Sequence, residues 1–141
     1  MRYFIIIILL LGCKDKLEKQ QVVFKDYDFT TGNYRLFFYE QMGTRIEELN
    51  GFDNFYISDI ETLEKIKKHW IISYKTDAMP CGYTYAVVLK KNDNVAKRFY
   101  VNLDCEYTTT IDSTIITSSW LHFPKSYITD YKKYFKKIDL K

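Results

Sequence analysis

The chain is short of the residues that do most enzymatic chemistry. Among its 141 residues are two histidines, three cysteines, two prolines and five glycines. So little glycine and proline leaves no low-complexity linker, and with no internal repeat the simplest organisation is one domain. No Cys-x-x-Cys or His-x-x-x-His spacing occurs, so a metal centre would have to gather ligands from distant segments. There is no Gly-x-Ser-x-Gly elbow and no glycine loop to cradle a phosphate. Charge is nearly balanced: 21 basic against 18 acidic side chains leave +3, too small an excess to argue for nucleic acid. Long apolar runs are missing as well. The longest, residues 3–11, belongs to a leader of about eleven residues, which as a helix would reach about 17 Å against a hydrocarbon core of about 30 Å. It is too short to span a bilayer.

That leader is nonetheless the most informative segment. Arg2 supplies a positive charge, residues 3–11 are apolar, and the run stops at Gly12-Cys13. A charged start, a short apolar stretch and a small residue before the cut define a secretory signal. Leu10-Leu11-Gly12-Cys13 resembles the lipobox of a bacterial lipoprotein, with Leu11 standing where such proteins more often have a small or β-branched residue. The resemblance covers residues 1–15 only. It implies a signal peptide over 1–12, lipid attachment at Cys13, membrane contact through that anchor and a tether over 13–21. A single domain then occupies 22–141. Lys14, where inner-membrane lipoproteins commonly have Asp, implies an outer-membrane destination, with surface display as an open alternative. Residues 14–21 extend at most about 28 Å, which keeps the domain close to the membrane.

With Cys13 assigned to lipid, Cys81 and Cys105 remain in an oxidising compartment, where a disulfide persists. The segment between them supports that pairing. Asn92-Asp93-Asn94 is a turn cluster. Pairing Lys91 with Val95 across it sets Leu89 opposite Lys97, Val87 opposite Phe99 and Tyr85 opposite Val101 on one face. Thr84, Ala86, Val88 and Lys90 then share the other face with Ala96, Arg98, Tyr100 and Asn102. Lys97 is the one misfit on the apolar side. A slip of one residue would set apolar against polar, which the pleat penalises. The same register places Cys81 opposite Cys105, at a spacing that suits a bridge. Closing such a loop is worth about 3 kcal/mol in the chain-entropy account.

Elsewhere the pattern predicts strands over Val22–Phe29 and Tyr34–Gln41 around Thr30-Thr31-Gly32-Asn33, and a short strand over Phe55–Ile57. A helix opens at Ser58 or Asp59, since Ser58-x-x-Glu61 has capping-box spacing, with Ile60, Leu63, Ile66 or Lys67, and Trp70 as its apolar stripe. Glu61 is spaced to pair with Lys65, and Glu64 with Lys68. A strand over Ile71–Tyr74 follows. Tyr107–Ile111 and Thr114–Trp120 read as a hairpin, whose alternating threonines suit an outer, half-solvated sheet position. A second helix is expected from Pro124 or Lys125 to Ile138. The expected architecture is α+β: an antiparallel sheet of five or six strands, two amphipathic helices and one intradomain disulfide.

For chemistry the leads are few. His69 ends a helix, where it complements the dipole. His122, near Ser118 and Ser119, has no acid placed by spacing to orient it. Asp104 and Glu106 share a face about 7 Å apart if that segment is a strand, a carboxylate pair of the kind that hydrolyses glycans. No cofactor is called for. For binding, Tyr100, Arg98 and Asn102 stand together on the polar face of the central hairpin, a combination common at protein and glycan contacts. Two functions follow. The first is an outer-membrane or surface lipoprotein with a non-catalytic macromolecule-binding role, in envelope assembly, on a glycan or as an immunity factor against a toxin. The other is a small envelope hydrolase using His122, Ser119 or the Asp104/Glu106 pair.

Overall fold

The structure, a computed structural model, describes residues 20–41, 49, 51–74, 82–104, 107–112, 115–122 and 131–138. Nine strands lie in one antiparallel sheet: β1 (Gln20–Val22), β2 (Tyr34–Glu40), β3 (Asn54–Ile57), β4 (Ile71–Tyr74), β5 (Tyr85–Lys91), β6 (Asn94–Asn102), β7 (Tyr107–Asp112), β8 (Ile115–His122) and β9 (Lys136–Lys137). Their order is β1-β4-β8-β7-β6-β5-β2-β3-β9. The α+β class stands. The strand number exceeds the expected five or six, partly because β1 and β9, of three and two residues, are too short to show a period in the sequence.

One α-helix occurs among the described residues, α1 (Ile60–His69). It connects β3, next to one edge of the sheet, with β4, next to the other, and packs on the core side of the sheet. Asp59 caps it, accepting from Thr62 N at 2.8 Å and Thr62 Oγ1 at 2.7 Å. Ser58 does not hold the cap; its hydroxyl accepts from Lys136 Nζ at 3.0 Å. The Glu61–Lys65 pair forms at 2.6 Å. Glu64 instead accepts from Phe29 N at 3.3 Å. Leu63, Ile66 and Trp70 are buried, whereas Ile60 is 50% exposed and Thr62 fills the buried stripe in its place.

Beneath α1 the core draws on alternate residues of the central strands: Leu36 and Phe38, Val87 and Leu89, Phe99 and Val101. Trp70 lies among them, its ring 5.5 Å from Phe24, 5.7 Å from Phe99 and 6.0 Å from Phe38. A void of about 10 Å³ beside Phe38, Phe55, Ile66 and Trp70 has an apolar lining and space for one water at most. It is a packing gap and not a ligand pocket.

Three expectations are corrected. The first strand ends at Val22, because Val23 and Phe24 are both buried, which an alternating strand facing one core cannot achieve. The chain turns there, with Tyr27 N donating to Phe24 O at 3.1 Å. The turn at residues 30–33 exists, with Thr30 N on Asp28 Oδ1 at 3.0 Å and Gly32 at φ +108°. It does not join a hairpin, since β1 pairs with β4 while β2 sits between β3 and β5.

The second correction concerns the C-terminus: the expected helix does not reach Ile138, Tyr131 being its last helical position among the described residues, and its stretch over 124–130 lies outside them. Lys132–Tyr134 is a single 3₁₀ turn, and Lys136–Lys137 pair with Tyr56 and Phe55 as β9. Phe135 dictates this: its ring stacks on Phe55 at 4.3 Å, and that contact pulls the backbone into edge pairing. The third is the β7–β8 hairpin, which lies inside the sheet between β6 and β4 and not at its rim.

In the central hairpin the body of the register is the expected one, from Tyr85↔Val101 to Leu89↔Lys97. The tip differs. Lys90 pairs with Val95 and Lys91 with Asn94, leaving a two-residue Asn92-Asp93 turn with φ of +47° and +67° and a bulge at Ala96. Lys97, the misfit, donates to Val23 O at 3.0 Å, so its stem packs while its ammonium finds a carbonyl. Cys13, Cys81 and Cys105 lie outside the described residues.

Candidate functional site

The face opposite α1 carries the binding candidates. Strand alternation puts Arg35, Phe37 and Tyr39 of β2 on it, with Tyr56 of β3, Lys136 of β9, Lys90 of β5, and Arg98 and Tyr100 of β6. Phe37 is the centre of this group. Tyr39 lies parallel to it at 6.0 Å and 3°, and Tyr56 stacks against it at 5.3 Å. Above the ring stand two cations, Lys90 Nζ at 4.8 Å and the Arg35 guanidinium at 5.9 Å from the centroid. Lys136 Nζ is 5.6 Å from the Tyr56 ring. Cation–π attraction holds these side chains over the rings, and Phe37 is consequently only 8% exposed.

The charge on this face is one-sided. Arg35 and Lys90 are directly opposed across β2 and β5, an arrangement that costs stability because like charges face each other at close range. Arg98 sits opposite Val88, diagonally beside Lys90. Among the described residues, β9, β3, β2, β5 and β6 place no Asp or Glu on this face, and Glu40, the one acid in those strands, alternates onto the α1 side. Asp93 at the hairpin tip pairs with Arg35 from a largely exposed position.

Of the three binding candidates, two belong to this surface. Arg98 is exposed, and Tyr100 is half-buried, with its ring 5.2 Å from Tyr83. Asn102 is 1% exposed and is used internally: its Nδ2 donates to Gly82 O at 3.0 Å and its Oδ1 accepts from Asp104 N at 2.9 Å. It frames the end of β6. The candidates that sequence reasoning missed are Phe37, Tyr39, Tyr56 and the Arg35/Lys90 pair. The alternation in Tyr34–Glu40 contained them, but its partner strands were not legible.

Of the hydrolytic candidates, Ser119 pairs with Thr108 and His122 with Ile71 along β8, and the placement of their side chains lies outside what the structure describes. Asp104 is exposed in the turn after β6, and Glu106 lies outside the described residues. His69 closes α1 beside Lys67 and Lys68, in the last turn. Among the described residues no group of three or more His, Cys, Asp or Glu side chains is placed to hold a metal ion.

Titration adds little to this site and more to the frame. Asp28 and Asp59 have their carboxyls lowered by hydrogen bonds from Thr30 and Thr62 respectively. Tyr85 is pushed up by burial and by the nearby Glu40 and Asp53 carboxylates, and its hydroxyl donates to Phe52 O at 3.2 Å. Comparison with protein-family models, with curated proteins and with solved structures finds no match.

Proposed function

We propose that the chain is an envelope lipoprotein, anchored at Cys13 and stabilised by a Cys81–Cys105 bridge, whose domain binds a macromolecule through the sheet face opposite α1. Its role is non-catalytic. One observation carries the reading: a surface of rings and cations on the sheet face opposite α1, to which the described strands β9, β3, β2, β5 and β6 contribute no Asp or Glu. Tyr and Arg are the residues most enriched where binding energy concentrates, and Tyr100 and Arg98 stand within that surface. The lipobox resemblance supports the location, and the short tether keeps the surface within reach of other envelope components.

Capture from detergent-solubilised envelope tests this. Tagged wild-type chain should return one stoichiometric partner, and the Tyr100→Ala/Arg98→Ala variant should lose it while melting at the wild-type temperature. Recovery of the same abundant porins by both would sink the reading. The mass of the mature N-terminal fragment, with and without reductant, tests the anchor and the bridge together.

A further inference from the structure

The chemistry of this face narrows the partner, and the step rests on the binding role just proposed. A protein partner would seek a desolvated apolar centre into which an anchor side chain can insert. This face offers the opposite. Its central ring, Phe37, is roofed by Lys90 and Arg35, and its neighbour Tyr56 by Lys136. What projects outward is ammonium and guanidinium, with tyrosine hydroxyls between them. Single-stranded nucleic acid would need bare ring faces on which bases stack, and the Phe37 and Tyr56 rings already carry cations.

The cations gather on one face, held over the rings, with Asp93 at the hairpin tip pairing one of them, Arg35. Arg35 and Lys90 face each other across adjacent strands, and Arg98 adds a third charge on the diagonal. Lys136 lies in the row of Tyr56 and Phe37, so the cations span five neighbouring strands, β9 to β6. Strands about 4.8 Å apart spread that row over about 19 Å. That length suits repeated acidic groups along an extended polymer better than one compact anion. Sugar hydroxyls would meet the tyrosine hydroxyls, and repeated carboxylates would relieve the opposed cations.

We propose that the Arg35–Lys90–Arg98 cluster, extended by Lys136, binds a carboxylated polysaccharide. The test uses full-length, detergent-solubilised protein in affinity electrophoresis through gels containing polygalacturonate, with neutral dextran, poly-glutamate and a single-stranded oligonucleotide as comparison probes. Polygalacturonate should retard the wild type, and dextran should not. Lys90→Glu/Arg98→Glu should weaken retardation at least about tenfold, the loss expected for charge-assisted contacts. Lys90→Gln/Arg98→Gln should weaken it less while melting as the wild type, and Lys68→Glu, on the helix side, should leave it unchanged. Retardation by poly-glutamate or the oligonucleotide as strong as by polygalacturonate overturns the sugar assignment. So does no retardation by polygalacturonate; if the envelope partner is still lost on mutating the face, the binding role survives without it. Equal retardation of the wild type and both double variants, with no change in envelope capture, removes both.

Discussion

Asp59 shows how one carboxylate can set where an element begins. It satisfies the amide and hydroxyl of Thr62 at the first turn of α1, and those bonds hold its carboxyl below the usual range. A group depressed in the folded state contributes stability above its unfolded pKa and loses it as pH falls through the folded value. Asp59→Ala should therefore cost about 1 kcal/mol in urea denaturation at pH 7, and the gap to wild type should close as pH falls below the ordinary carboxylate range and through the lowered folded value. Tyr85 behaves inversely. Burial raises its hydroxyl, so its contribution is complete below the unfolded pKa near 10 and lost as pH rises beyond it. Tyr85→Phe should cost about 1 kcal/mol at neutral pH, from the lost bond to Phe52 O. Alkaline unfolding curves of wild type and variant should converge above about pH 10.

At the scale of elements, the turns are the exacting parts. Gly32 adopts φ +108°, and a Cβ there would come within 2.8 Å of Lys91 Cε. The lysine tip can move aside, but the backbone conformation disfavours any side chain. Gly32→Ala is expected to lower stability by about 1–2 kcal/mol, read as a shift of the urea midpoint with the slope unchanged. The same region marks what could be read beforehand. The β5–β6 register was legible because a buried face imposes period two over the five pairs from Tyr85↔Val101 to Leu89↔Lys97. Its tip was not, because a bulge at Ala96 changes the loop length without altering the pattern below it. The C-terminal lysine pairs read as the wet side of a helix. Only the ring of Phe55, distant in sequence, explains why Phe135 draws that segment into a strand. Of the proposed surface, Arg98 and Tyr100 were visible. The remainder depends on β2 lying beside β5 and β3, which local pattern does not encode.

Across the whole molecule, α1 joins the two flanks of the sheet over a single core. Trp70 sits where α1 meets the far flank, packed against Phe24, Phe38 and Phe99. Trp70→Ala should therefore cost about 3–5 kcal/mol and lower the melting of both flanks in one transition. Two separated transitions by circular dichroism would contradict a shared core. Folding should be slow for a domain of this size. β1, β4 and β8 are neighbours in the sheet but far apart along the chain, and such pairings close long loops before any contact rewards them.

The sheet's two margins govern how copies of the chain meet. Among the described residues one margin is the three-residue β1 and the other the exposed lysine pair of β9. Concentrated copies would collide side by side, the geometry in which open strands fuse into continuous ribbons. A margin as brief as β1, or charged alike on every copy as β9 is, gives a neighbour little to extend. Crowding should therefore leave a field of separate molecules.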